Sequence, residues 1–400
     1  MVIGAGQAGA ALVARLRGAG FAGRICLVGE EPVPPYQRPP LSKKYLLGEM
    51  ELERLFLRPE SFYPENGIEL LLGTPAMAID RARKTVTAGG REIAYDQLAL
   101  TTGAVPRRLP ARLGGNLAGV HVVRNLADVD AMAPDFAAGK RVLIVGGGYI
   151  GLEAAAVAAT RGLRVTLVEA APRILQRVAA PETSDYFRAL HTRHGVDIRE
   201  GIGIDTLLGD ARVTGARLSD GTEIAADFVI TGIGITPATA LAETAGLTID
   251  NGIAVDALGR SSDAAIWAAG DCASFAYRGA RLRLESVQNA IDMAERVADN
   301  MLGADRPYVP QPWFWSDQYD VKLQIAGLNS GYARVVTRPG AQEDGTSFWY
   351  YDAQDTLLAV DAINDARAYM VGKRLIETGR SPAPKDIADP GTDLKSLLAR

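Results

Sequence analysis

The stretch VLIVGGGYIGLEAAAVAATRG, residues 142–162, decides the fold. Four apolar residues run into Gly146, Gly148 and Gly151, and an alanine-rich segment follows that ends at Gly162. The order is strand, glycine-rich turn, helix. The glycines allow a tight turn, close backbone approach and helix–strand packing, while the helix N-terminus presents N–H groups to an anion. Alanine is the strongest helix former, and Gly162 stands where a helix C-terminus favours glycine. The next strand, RVTLVEA, carries Glu169, 18 residues past Gly151. A carboxylate at that strand tip accepts hydrogen bonds from ribose hydroxyls. It also repels a 2′-phosphate, so the spacing predicts preference for NADH over NADPH; Arg173 and Arg177 lie further on.

The same signature opens the chain. VIGAGQAGAALVARLRGAG supplies Gly4, Gly6 and Gly9, and RICLV leads to Glu30, 21 residues past Gly9. Both copies meet the context of a dinucleotide-binding βαβ unit, so the chain is built to hold two dinucleotides. Between them lies EEPVPPYQRPPLSK (30–43), whose five prolines exclude a regular helix or an inner strand. DQLALTTGA, DFVITGIGITP and AIWAAGDCA read as further strands running into glycine. Asp271, in the last of these, stands at a strand end before an expected helix, where it would either cap that helix or meet a ligand. Beyond residue 310, KLQIAGL, YARVVTR and SFWYYDAQDTLLAVDAIN read as antiparallel strands, and DARAYMVGKRLIETG as a helix. The fold class is therefore α/β, with two Rossmann-like dinucleotide-binding domains and a C-terminal α+β domain carrying an antiparallel sheet. The expected boundaries are residues 1–106 and 240–310 for the first binding domain, discontinuous in sequence, 107–239 for the second and 311–400 for the last.

Bulk properties exclude several function classes. A formal charge of −4 offers no basic face for nucleic acid. No run of about 18 apolar residues occurs, so no membrane span is expected. Cys26 and Cys272 form no CxxC pair, which points to a cytoplasmic protein without a redox dithiol. His121, His191 and His194 are too few and scattered for a metal site, and none is expected.

The motifs GAGQAG, PYQRPPLSK, TTGA, GGGYIGLEAAA, GIGITP, AAGDCA, RLESVQNA and PWFWSDQYD together resemble one family across the whole chain. It is the glutathione-reductase-like flavoproteins, and within them the FAD-dependent ferredoxin reductases that serve cytochromes P450 or aromatic-ring dioxygenases. The resemblance implies tightly bound, non-covalent FAD at Gly4, Gly6, Ala8 and Gly9, with Glu30 on the adenosine ribose. It adds Arg38 and Lys43 near the FAD, Ala76 meeting the adenine, and Thr102, Gly103 and Arg124 as further contacts. Asp271 would bind the ribityl or pyrophosphate part, and Val287 would offer backbone to the flavin. NADH would take Gly146, Gly148, Tyr149, Ile150, Gly151, Glu169 and Gly234.

Three residues carry catalytic expectations from the resemblance. Lys43 would lie beside the flavin ring, where a cation stabilises negative charge on reduction; the rival reading is a solvated loop charge. Glu153 would sit near the nicotinamide–flavin contact, against the reading of a first-turn acid favoured by the helix dipole. Trp315 would stand near the isoalloxazine, against an ordinary core role. The expected partner is a [2Fe–2S] ferredoxin, the expected assembly a monomer or weak dimer, and Arg281 and Arg283 are candidates for a basic docking patch. An NADH oxidase or monodehydroascorbate-type reductase with a small soluble acceptor is the alternative enzyme. A binding or signalling protein like apoptosis-inducing factor is the alternative of another class.

Overall fold

The computed structural model describes residues 1–399, which divide into two compact units interleaved along the chain. One comprises residues 1–38, 50–105 and 235–312; the other comprises residues 39–49, 106–234 and those from 313 onward.

The first unit is organised by a five-stranded parallel sheet with Val2–Ile3 at its centre. Ile25–Val28 and Leu98–Leu100 flank it, and Ile68–Leu71 and Ile266–Ala268 form the edges. Most of these strand residues are buried, as in parallel sheets covered on both faces. The helix Gln7–Gly18 packs against the helix Val287–Met301. In the latter, Ala290, Met293, Ala294, Val297 and Ala298 repeat at helical spacing and are all buried. Ser286 caps that helix by accepting from the Asn289 amide at 3.1 Å.

The helix expected after Asp271 is absent. The chain turns at Gly270 (φ +79°) and runs into the strand Ala273–Tyr277, which pairs antiparallel with Ala280–Leu282. Arg278 and Gly279 both have positive φ, the condition for a two-residue hairpin turn, and the aromatic-rich ASFAY segment suits a strand. Asp271 therefore has no helix to cap.

The second unit contains a parallel sheet ordered Asp197–Glu200, Arg164–Glu169, Arg141–Val145, Phe228–Thr231, Val120–His121. It also contains a five-stranded antiparallel sheet ordered Trp313–Gln318, Val321–Gly327, Leu357–Ile363, Thr346–Tyr351, Arg334–Pro339. Asp365 caps the helix Ala366–Glu377, which covers this second sheet, its Val371 and Leu375 clustering with Trp349 and Val360.

Between the two sheets runs the helix Tyr149–Thr160, with Gly151 through Ala158 all buried. A helix apolar on every side must be covered on every side. Its covers are its own sheet, the strand Trp313–Gln318 and a short helical turn, Leu41–Tyr45. That packing explains why residues 39–49 group with the second unit, although a sequence division places them in the first binding domain.

Candidate functional site

The two fingerprints solve the same steric problem residue for residue. Gly4 and Gly146 have φ +109° and +107°, and a Cβ on either would fall within 2.2 or 2.4 Å of a neighbouring carbonyl oxygen, that of Thr101 or Gly232. Gly9 and Gly151 lie so close to the carbonyls of Gly4 and Gly146 that a Cβ would stand 2.0 Å away. Gly6 and Gly148 are different: an added Cβ meets nothing within 4 Å. Packing does not require glycine there. Open space at the head of each helix fits a phosphate brought against bare backbone.

In the second unit this space is part of a cavity of about 550 Å³. It is lined by Gly146, Gly148, Tyr149, Glu169 and Gly234, among others. Ile150, next in the helix, leaves 45% of its surface exposed, unusual for isoleucine. The Glu169 carboxylate accepts from the amides of Gly147 at 2.6 Å and Ala171 at 2.7 Å, which holds it at the rim. The two basic residues beyond it differ. Arg173 donates to the Ser184 hydroxyl and to the Ala179 carbonyl, so its guanidinium braces the loop. Both line the cavity, but only Arg177 is exposed.

In the first unit, Ala8 meets Gly270 closely, a Cβ on that glycine falling 3.0 Å from the Ala8 methyl. This brings the GAGQAG and AAGDCA motifs together and sets Asp271 beside the first glycine turn. Thr101 closes the turn from beneath, its hydroxyl donating to the Gly4 carbonyl at 2.8 Å. Thr102 donates to the Ala238 carbonyl at 2.7 Å, and Gly103 follows with φ +70°. Glu30 is exposed just past the second strand. Arg38 pairs with Glu31 at 2.5 Å and contacts the Tyr36 hydroxyl at 3.0 Å. Ala76 begins the strand Ala76–Asp80, and Val287 is the first residue of its helix, where backbone amides lack intrahelical partners.

Lys43, Glu153, Arg124 and Trp315 all belong to the second unit. Lys43 Nζ lies 2.9 Å from Glu153 Oε2, with the side chains only 18% and 10% exposed. Neither rival reading survives: the lysine is no loose loop charge, and the glutamate, fifth in its helix, lies beyond the first turn. Burial pushes the Glu153 carboxyl above its ordinary range, opposed by the Lys43 ammonium and by hydrogen bonds from Lys43 and Ser316. Trp315 is half-buried beside Trp313 and Phe314, at centroid distances of 5.6 and 6.4 Å. Phe314 packs against Tyr149 at 4.8 Å.

Two polar clusters escape sequence reasoning. In one, Ser316 donates to Glu153 Oε1 at 2.8 Å and is backed by Gln318 and the fully buried His191. In the other, Asp361 Oδ2 accepts from the hydroxyls of Tyr350 and Thr183, the latter at 2.7 Å, and the Ala180 amide donates to Tyr350. Among the described residues the enclosed Tyr149 hydroxyl has no hydrogen-bond partner. The available signal was strand alternation: Phe314, Ser316 and Gln318 share one face of their strand.

Cys26 and Cys272 are free and buried, and burial raises both thiols. Arg281 pairs with Asp250 and Arg283 with Glu285, so neither offers an uncompensated charge for docking. Among the described residues no His, Cys, Asp and Glu cluster is arranged for a metal, and no helix is long and apolar enough to cross a membrane.

Comparison with known proteins matches two consecutive segments of the chain. Residues 1–294 match the pyridine nucleotide-disulphide oxidoreductase family and residues 313–398 the reductase C-terminal family. A ferredoxin–NAD(P)(+) reductase of Sphingomonas sp is 43% identical over 100% of this chain and 97% of its own. Rhodocoxin reductase of Rhodococcus erythropolis is 41% identical over 100% of this chain and 94% of its own. The crystal structure of the covalent putidaredoxin reductase–putidaredoxin complex aligns with a TM-score of 0.95 at 38% identity, covering 100% of this chain and 97% of that one.

Proposed function

The chain belongs to the pyridine nucleotide-disulphide oxidoreductase family, and on that premise we propose that it is an FAD-dependent NADH:ferredoxin reductase of an oxygenase system. Bound FAD would supply hydride acceptance from NADH and release of single electrons, chemistry that suits a [2Fe–2S] ferredoxin.

The observation that carries this reading is the matched pair of fingerprints, each with its middle glycine facing open space. Gly4, Gly6, Ala8 and Gly9 would hold the FAD pyrophosphate at the helix N-terminus, Glu30 would take the ribose, and Asp271 and Val287 would contact the remainder. Arg38, Ala76, Thr102, Gly103 and Arg124 complete that site. Gly146, Gly148, Tyr149, Ile150, Gly151 and Gly234 hold NADH, with Glu169 accepting from its ribose hydroxyls. Lys43, fixed by Glu153, would supply positive charge for the reduced flavin, and Trp315 would pack at the same ring. Free, buried and protonated thiols support flavin-only electron storage over dithiol chemistry, and a cytoplasmic location.

The test is anaerobic titration with NADH, then NADPH, followed by addition of [2Fe–2S] ferredoxins. Bleaching of the flavin by stoichiometric NADH, with turnover that depends on ferredoxin, is the expected result. Rapid turnover on oxygen or a small acceptor without ferredoxin would favour the soluble-acceptor alternative.

A further inference from the structure

Glu153 is held by groups from two distant segments. Its Oε2 faces Lys43 on the helical turn Leu41–Tyr45, and its Oε1 accepts from Ser316 on the strand Trp313–Gln318. The other charge acting on it is Asp317, the neighbour of Ser316.

Behind Ser316 the hydrogen bonds form a chain of one polarity. The Tyr319 hydroxyl donates to His191 Nδ1 at 3.1 Å, and His191 Nε2 donates to Gln318 Oε1 at 2.7 Å. Gln318 Nε2 donates to Ser316 Oγ at 3.1 Å. Ser316 thus has its hydroxyl hydrogen left for Glu153. The reverse polarity needs a protonated Glu153 and a turned-over Gln318 amide, and an ammonium 2.9 Å from the carboxylate opposes that acid. The chain sits in a closed interior: His191, Ser316 and Gln318 are 0% exposed. The His191 imidazole, held down to about 4 by burial, is neutral at working pH, as the assigned tautomer requires.

We propose that Ser316 is a positioning residue: its hydroxyl, oriented by Gln318 and His191, fixes the Glu153 carboxylate on the Lys43 ammonium. The C-terminal sheet thereby sets the geometry of the Lys43–Glu153 pair. Gln318 passes no proton, so the chain orients and does not conduct. This role rests on the reading that the pair serves the flavin, but its geometry can be tested without that reading.

The experiment compares wild type, Ser316→Ala and Ser316→Thr as flavin-loaded proteins carrying carboxyl-labelled [¹³C]glutamate. The Glu153 resonance is identified by its loss in Glu153→Gln. Ser316→Ala is expected to move the Glu153 titration upward by roughly one to two pH units, and Ser316→Thr to restore it. The pH profile of flavin reduction by NADH should move by the same amount. A titration in Ser316→Ala indistinguishable from wild type overturns the positioning role. Lys43→Met, run in parallel, keeps the two failures apart: unchanged reduction by NADH in that variant overturns the catalytic reading of the pair, while the carboxyl titration still judges Ser316.

Discussion

Replacing Asp361 by asparagine should stabilise the protein at neutral and alkaline pH. Asp361 is 1% exposed, and burial lifts its carboxyl from 3.8 to about 6 despite the Tyr350 and Thr183 hydroxyls. Below about pH 4 the group is protonated in folded and unfolded chains alike and costs nothing. Between about 4 and 6 the unfolded chain releases a proton that the folded chain keeps, so stability falls; above 6 the cost is constant. At about 1.4 kcal/mol per pH unit of displacement, the ionised side chain costs about 3 kcal/mol at pH 8. An asparagine carbonyl can accept both hydroxyls, and an amide N–H left unpaired subtracts about 1 kcal/mol. The net gain is about 2 kcal/mol, or roughly 4–8 °C for a unit of this size. His191 acts in the opposite sense across the same window, since its contribution is full above 6.5 and is lost as pH falls through about 4. It is common to both proteins and cancels in their difference. Calorimetric melting of both proteins across pH 4 to 8 measures that difference. A gap that stays constant with pH, or a variant less stable at pH 8, refutes the reasoning.

The fingerprint glycines make a sharper pair. Gly148→Ala should leave the melting temperature within about 1 °C yet raise the KM for NADH at least about tenfold; Gly146→Ala, with a Cβ 2.4 Å from the Gly232 oxygen, should destabilise the fold itself. Glu169→Gln removes the charge that repels a 2′-phosphate, so the ratio of kcat/KM for NADH over NADPH should fall by about tenfold or more. Replacing Cys26 and Cys272 together by alanine should leave ferredoxin reduction within about twofold of wild type, since neither thiol takes part; a larger loss, in a protein that still binds flavin, would restore a role for sulfur.

Both Rossmann-like units and the antiparallel C-terminal sheet were legible because their signals are local. Glycine spacing, apolar runs and terminal carboxylates all lie within about 30 residues of one another. Asp271 was misplaced in its setting because a strand end before small residues resembles a helix start, and the decisive Arg278–Gly279 turn lies seven residues on. Residues 39–49 could not be assigned from sequence either. Their allegiance depends on the burial of Lys43 against Glu153, a partner 110 positions away. Strand alternation puts Ser316 and Gln318 on one face, but their bond to His191 could not be read, because a buried polar chain is defined by who meets whom. Arg173 and Arg177 looked equivalent in sequence, and only the bonds from Arg173 to Ser184 and Ala179 tell them apart.

The interleaved path of the chain has a bearing on its biogenesis. The helix Val287–Met301 that packs on Gln7–Gly18 is made nearly three hundred residues after it. Until then the apolar side of that early helix lacks its cover, and synthesis at 5–20 residues per second makes the delay tens of seconds at the slow end. A nascent polypeptide arranged this way invites chaperone capture, and acquisition of its prosthetic group becomes a late event in its maturation.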